Sequence, residues 1–240
     1  MINQIINVET VISMAISECT NEDNMLMMAR YPDKFFDLAI VDPPYGINAS
    51  KMSLGKGGGL YREPRTYKMG DWDRNSPYPE YWQELIRVTK NRIVWGANHF
   101  ISDIPYDSPC WIVWDKMNGG TDFADCELAY TSFETAVRIF RFKWMGMLQG
   151  NMANKQQRIH PTEKPYQLYY WLLQNYGEGK ILDTHLGSGA SRIAAYKLGF
   201  DFWGCEIDKD YFEAQEKRFK EAINEPLFQT QPERVQAKLL

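Results

Sequence analysis

The 240-residue chain is poor in several features that define whole classes of protein. It has four cysteines, Cys19, Cys110, Cys126 and Cys205, far apart and without paired spacing. That excludes a disulfide framework or a cysteine zinc site and fits reduced cytosolic thiols. Its three histidines form no cluster with cysteines and acids at metal-ligand spacing, so no catalytic metal is expected. No apolar run is long enough to span a bilayer, and no basic N-terminus leads into an apolar core. The expectation is a cytoplasmic protein without a membrane partner. A net basic charge is lacking too, since 27 Lys and Arg against 31 Asp and Glu leave −4.

That deficit hides two basic stretches. Asn48 to Ser76 carries six Lys or Arg against three acids, and Arg138 to Lys164 carries six against one. These segments hold +3 and +5 and leave −12 for the remainder, so positive charge is gathered where it can meet a polyanion. One basic loop is ordinarily just solvated surface; two, one of them directly after the most distinctive turn of the chain, point to nucleic acid. Aromatic residues make up 14%, with 8 Trp and 14 Tyr. Such a surplus of flat rings suits base stacking and, more commonly, an aromatic core. The length fits one α/β domain over 1–240 and leaves little room for a second.

The distinctive turn is Asp42-Pro43-Pro44-Tyr45. It ends an apolar run, Phe35 to Val41, that reads as a buried strand of a parallel sheet, and open α/β sheets place ligands at the carboxyl ends of their strands. The two prolines fix φ and lack N–H donors, so the turn is stiff and presents acceptors, the Asp42 carboxylate and the Pro43 carbonyl. With Tyr45 as a stacking ring, the four residues can hold a planar amine, although a strand ending in Asp-Pro is also an ordinary loop start. Asn48 to Ser76 follows, with Lys56-Gly57-Gly58-Gly59 inside it but without the ending of a phosphate-binding loop. It reads as a mobile cover over the site that offers Lys51, Lys56, Arg62, Arg65 and Lys68 to a nucleic-acid strand.

Patterning predicts helices over 24–30, 79–90, 166–176, 190–198 and 208–223, with Phe212, Phe219 and Ile223 of the last facing the core. Strands are expected over 92–96, 180–183 and 201–205, and helix–strand alternation is expected to continue through 110–142, which argues for three α/β layers. The strand ending at Asp183 runs into Thr184-His185-Leu186-Gly187-Ser188-Gly189 and a helix. Glycines let backbone approach a ligand there, and the helix start carries positive potential. Glu206 ends the next strand 19 positions after Gly187, where such folds grip ribose hydroxyls. A nicotinamide dehydrogenase stays open on this turn alone, but Arg192 stands where the third dinucleotide-binding glycine would be. The Asp183 carboxylate would repel a pyrophosphate and suits an amino-acid ammonium.

In this arrangement the chain resembles the DNA amino-methyltransferases, specifically the permuted class whose catalytic motif precedes the cofactor motif. Asp42, Pro43, Pro44 and Tyr45 match the catalytic motif in its adenine-N6 form, Asp183 to Gly189 match the S-adenosylmethionine motif, His160 to Pro165 match the segment before it, and Glu206 matches the ribose-binding acid. The resemblance implies a doubly wound, mostly parallel three-layer sheet of the Rossmann-like methyltransferase type. It implies a cofactor pocket from Asp183, His185, Gly187, Ser188, Gly189 and Glu206, walled by His160, Thr162 and Lys164. It also implies double-stranded DNA as partner, a flipped target base and a homodimer. There are two departures. His185 stands where the family often has Phe, and only the 17 residues from Lys143 to Ile159 occupy the place of a target-recognition region, so short or relaxed sequence specificity is expected. Cytosine N4 is a second exocyclic amine that the same turn suits, and a methyltransferase-like binding module without catalysis is a third reading.

Overall fold

A computed structural model describes residues 15–47, 76–119, 124–145, 148–149, 159 and 162–224. Eight strands form one sheet: β1 (Ser17–Thr20), β2 (Phe36–Val41), β3 (Thr89–Trp95), β4 (Trp111–Asp115), β5 (Cys126–Thr131), β6 (Arg138–Arg141), β9 (Lys180–Asp183) and β10 (Asp201–Cys205). Their order across it is β1-β10-β9-β2-β3-β5-β4-β6, and the short pair β7 (Trp144–Met145) and β8 (Leu148–Gln149) stands apart. The helices are α1 (Asn24–Met28), α2 (Pro79–Val88), α3 (Tyr166–Tyr176), α4 (Ala190–Leu198) and α5 (Lys209–Asn224).

Period-two alternation splits the central strands between two cores. Leu38 and Ile40 of β2, Ile181 of β9, Ile93 and Trp95 of β3 and Phe202 of β10 pack with Leu168, Leu172 and Leu173 of α3 and Ala190, Ala194 and Ala195 of α4. Their sequence neighbours Ala39, Val41, Leu182, Val94 and Trp203 turn the other way, onto Met27 and Met28 of α1 and Tyr81, Trp82, Leu85 and Val88 of α2. This is the three-layer α/β arrangement expected, and side chains such as Leu38, Leu85 and Ile93, at 1% exposure or less, each stabilise it by about 1.5–3 kcal/mol.

Three expectations need correction. Helix–strand alternation does not continue after β3. Apart from the three-residue helical turn Ala97–His99, the chain runs β4, β5 and β6 with no helix between them among the described residues. β5 pairs antiparallel with both β3 and β4, and short connections can join only antiparallel neighbours. Its first residues therefore lie at the edge of the sheet where β2, β3 and β4 end. Ile223 is 37% exposed, while Phe219 of the same helix is 6% exposed and packs on Tyr196. The predicted helix over 79–90 ends at Val88, because Thr89 is already extended (φ −118°, ψ 144°) as the first residue of β3.

Candidate active site

β2 and β9 are adjacent and parallel, with Leu38 opposite Ile181 and Ala39 opposite Leu182. From β2 the chain proceeds to β3 on one side, and from β9 it proceeds to β10 on the other. The crevice outside their carboxyl ends is thus a topological switch point, where open sheets bind ligands. Asp183 is the last residue of β9, and Asp42 is the first after β2.

Asp42 sits in a cluster of charges. Its Oδ2 is 2.5 Å from Nζ of Lys164, and the Tyr45 hydroxyl donates to Oδ1 at 2.8 Å. Lys164, with 3% of its side chain exposed, also donates to the Tyr45 oxygen at 3.1 Å and lies 3.1 Å from Oε2 of Glu127. Glu127 is the second residue of β5, and its Oε1 pairs at 2.5 Å with Lys116, just past β4. Burial pushes the Asp42 carboxyl above its usual range, Lys164 opposes that, and the Glu127 charge adds to it. Burial works against Glu127 as well, but two lysines overcome it and hold that carboxyl down at about 2. For Lys164, burial disfavours the ammonium and the two carboxylates more than offset it, raising its pKa. The Tyr45 phenol is driven well up by burial and by Asp42, so it stays protonated as a donor.

The Tyr45 ring is held from both sides. His99 stacks on it with centroids 4.9 Å apart and planes 16° apart. Behind it lies Gly96 (φ +66°), where a Cβ would stand 2.1 Å from Tyr45 Cε1. Only glycine allows the ring to lie there.

The turn after β9 is organised by carboxylates and neutral donors. Asp183, 2% exposed, accepts from the His185 N–H at 3.0 Å and the Ser191 hydroxyl at 2.6 Å. Burial carries its pKa up to about 7, with the Asp42 and Glu206 charges adding to the effect and its two donors opposing it. Glu206 accepts from the Gly187 N–H at 2.8 Å and the Asp208 N–H at 2.9 Å, and burial raises its pKa too. His185 Nε2 is 3.1 Å from the Asn24 amide and Nδ1 is 3.0 Å from the Thr184 hydroxyl, which meets the Tyr81 hydroxyl at 2.8 Å. Burial lowers its pKa to about 3, so the ring is neutral; with Asn24 donating to Nε2, Nδ1 carries the proton. Gly189, at φ +71°, caps α4 with Gln215 close behind it, whereas a Cβ on Gly187 would find only His185 O, at 3.9 Å. The Gly187 side of the turn therefore faces open space.

The profile of a family described as DNA methylase, N6_N4_Mtase, matches residues 113–217. The chain is 27% identical over 247 residues to the type II methyltransferase M2.DpnII of Streptococcus pneumoniae, covering 85% of this chain and 90% of that one. It is 25% identical over 238 residues to M2.LlaDCHI of Lactococcus lactis subsp. cremoris, covering 82% and 86%. Together these matches support an N6/N4 DNA methyltransferase family for the chain. Solved structures share the fold. The M1.HpyAVI–SAM complex superposes with TM-score 0.51 at 19% identity over 84% of this chain and 98% of that one. The cytosine-N4-specific PvuII DNA methyltransferase does so with TM-score 0.53 at 10% identity over 88% and 93%.

The turn Asp42, Pro43, Pro44 and Tyr45 follows β2 and the turn through Asp183, His185, Gly187, Ser188 and Gly189 follows the adjacent β9, with Glu206 after β10. Lys164, expected on the cofactor side, stands against Asp42 and Tyr45. Thr162 is exposed, and the neighbouring Glu163 ties its segment to α5 through Arg218 at 2.7 Å, whose guanidinium also reaches the Ser188 carbonyl at 3.3 Å. His160 and the DNA-contact candidates Lys51, Lys56, Arg62, Arg65 and Lys68 lie outside the described residues. Glu127 and Lys116 were not singled out from the sequence as site residues. Neither lies in a recognisable motif, and only the reversal of β5 brings them in. His99 is exposed and forms one face of the Tyr45 stack. An open hollow of about 470 Å³ on α5, lined by Glu213, Glu216, Lys217 and Lys220 among others, holds none of the site residues. Among the described residues no three His, Cys, Asp or Glu side chains converge to hold a metal, and no helix is long and apolar enough to cross a membrane.

Proposed function

We propose that the protein transfers a methyl group from S-adenosylmethionine to the N6 amine of adenine in double-stranded DNA, with the base turned out of the duplex. The observation that carries this reading is the placement of the Asp42 carboxylate, on its stiff acceptor-rich turn, beside the glycine turn at the end of the adjacent strand β9.

The residues fit the cofactor. The backbone around Gly187 is open to a ligand, and Glu206, which accepts from the Gly187 N–H through Oε2 and from the Asp208 N–H through Oε1, has further lone pairs to offer ribose hydroxyls. The oxygens of Asp183 are taken up by the His185 N–H of the turn and the Ser191 hydroxyl of α4, so when ionised it favours a cationic amino-acid moiety through the field rather than through a pair. His185, Gly187, Ser188 and Gly189 form the turn around the ligand, with His160 and Thr162 from the preceding segment. Bound there, S-adenosylmethionine supplies an electrophilic sulfonium methyl.

The chemistry left to the protein concerns the amine. The N6 lone pair is delocalised into the purine, which makes it a poor nucleophile. Acceptance of its N–H groups by Asp42 and by the Pro43 carbonyl favours a tetrahedral nitrogen and localises that pair. Catalysis then rests on positioning and electrostatics, without a covalent enzyme intermediate. Asp42 need not be a strong base beforehand, because the methylated ammonium is acidic enough to lose its proton afterwards. Extruding the base costs a few kcal/mol, which stacking on Tyr45 partly offsets once the exposed His99 ring gives up its place on that face. The basic segment over 48–76, with Lys51, Lys56, Arg62, Arg65 and Lys68, is assigned to the DNA backbone. Specificity is short or relaxed, a homodimer is the working assembly, and the enzyme acts in the cytoplasm on one domain spanning 1–240.

Incubation of the protein with duplex DNA and S-adenosylmethionine, followed by digestion to nucleosides and mass spectrometry, tests this directly. N6-methyladenine is expected. N4-methylcytosine would move the activity to the other exocyclic amine, and absence of both products would leave a binding module.

A further inference from the structure

Lys164 has three N–H groups and three oxygen neighbours within 3.1 Å: Oδ2 of Asp42, the Tyr45 hydroxyl and Oε2 of Glu127. Its ammonium also lies over two rings, 5.6 Å from the Tyr45 centroid and 5.5 Å from that of Trp95. With three oxygens and two ring faces around it, the ammonium has no free direction for a cofactor carboxylate. Behind it the charges alternate toward the rim, from Lys164 to Glu127 and from Glu127 to Lys116 at 2.5 Å. The residues come from four separate parts of the chain: the turn after β2, the end of β4, the start of β5 and the segment before α3.

We propose that Lys164, seated by Glu127 and Lys116, is a positioning residue that fixes Oδ2 of Asp42 and thereby selects Oδ1 as the oxygen presented to the substrate amine. In the free protein Oδ1 is held by the Tyr45 hydroxyl, a neutral donor that an incoming N–H can replace. Oδ2 is held by a charged donor that a neutral amine cannot displace. This assignment rests on the proposed methyl transfer for its purpose, but the anchoring itself is a property of the free protein. The charged and titratable groups around Asp42 are Lys164 and Glu127 from other elements, Tyr45 on its own turn, and Asp183 and Tyr169 nearby.

The test pairs kinetics with a readout that needs no turnover. In Lys164→Met, single-turnover transfer at saturating cofactor and DNA is expected to fall about 10²-fold, with cofactor and DNA dissociation constants within about threefold of the parent. Lys164→Arg should restore part of the rate, and Glu127→Gln should lose about tenfold. In parallel, carboxyl carbon NMR of the full-length protein, with the Asp42 signal assigned by Asp42→Asn, follows Asp42 through a pH titration. Loss of the cation should move its midpoint upward in Lys164→Met and hardly at all in Lys164→Arg. An unmoved Asp42 titration, or a Lys164→Met protein that keeps its rate while binding the cofactor ten times more weakly, would overturn the proposal. Thermal melting confirms folding, and Glu127→Gln keeps the question decidable if Lys164→Met fails that control. A parent protein that methylates no DNA would sink the proposed function, while the NMR titration still decides the anchoring.

Discussion

Asp42 and Asp183 end neighbouring parallel strands, and burial raises both carboxyls, yet their surroundings differ in kind. Asp42 meets a full positive charge at 2.5 Å, and that charge is shared with a second acid. Asp183 meets only a hydroxyl and a backbone N–H, and its pKa climbs to about 7. The contrast teaches that position in a sheet brings acids to a site, whereas the donors around each acid decide its work. A cation opposes the effect of burial on one carboxylate and orients it for substrate. Dipoles alone let the other hold a turn together and take up a proton near neutrality.

The largest effect should come from exchanging charge for dipole at Asp42. Asp42→Asn is expected to lose about 10²- to 10³-fold in transfer rate while calorimetry shows cofactor binding retained. Asp183→Asn should not reproduce that pattern, and an equal loss of transfer at saturating cofactor would erase the distinction. Next comes stability against pH. Asp183 has a folded pKa above its unfolded value of 3.8, so its stabilising contribution is fully present below that value and is lost as pH rises through about 7. Urea midpoints at pH 5 and pH 8 should therefore show Asp183→Asn gaining on the parent toward the higher pH, by up to a few kcal/mol. A smaller effect is expected at the Tyr45 support. Gly96→Ala adds a Cβ into the ring at a left-handed φ and should cost about 1–3 kcal/mol in denaturant titrations. Because Tyr45 must move, transfer should fall as well. The smallest belongs to His185→Phe, which breaks contacts to Asn24 and Thr184 and should cost about 1–2 kcal/mol at pH 7. His185 is held neutral, so its contribution is present above pH 6.5 and lost as pH falls through about 3. The variant's deficit should therefore shrink only in acid.

Local patterns carried much of this into the sequence. Tyr166–Tyr176, Lys180–Asp183, Ala190–Leu198 and Asp201–Cys205 form where periodicity and glycine punctuation place them, because each is decided by residues within one turn or one strand of itself. The Asp42 turn and the Gly187 turn were legible for the same reason. Lys164 was visible as a site residue but its contacts were not, since its neighbours lie far away in sequence and only strand order brings Asp42 and Glu127 to it. The direction of β5 was illegible because an apolar run such as Leu128-Ala129-Tyr130 reads alike whichever way the strand points.

That reversed strand ties the site to a single hairpin. Trp114 pairs with Glu127 and Asp115 with Cys126, and the Lys116 N–H bonds the Asp125 carbonyl at 2.9 Å where the two strands part. Fraying by one or two rungs from that end would carry off the anion that seats Lys164 and leave the central core intact. The hairpin mouth is thus the shortest path from a small local opening to an Asp42 without its anchor, and amide exchange at Lys116 and Glu127 would time how often that path is taken.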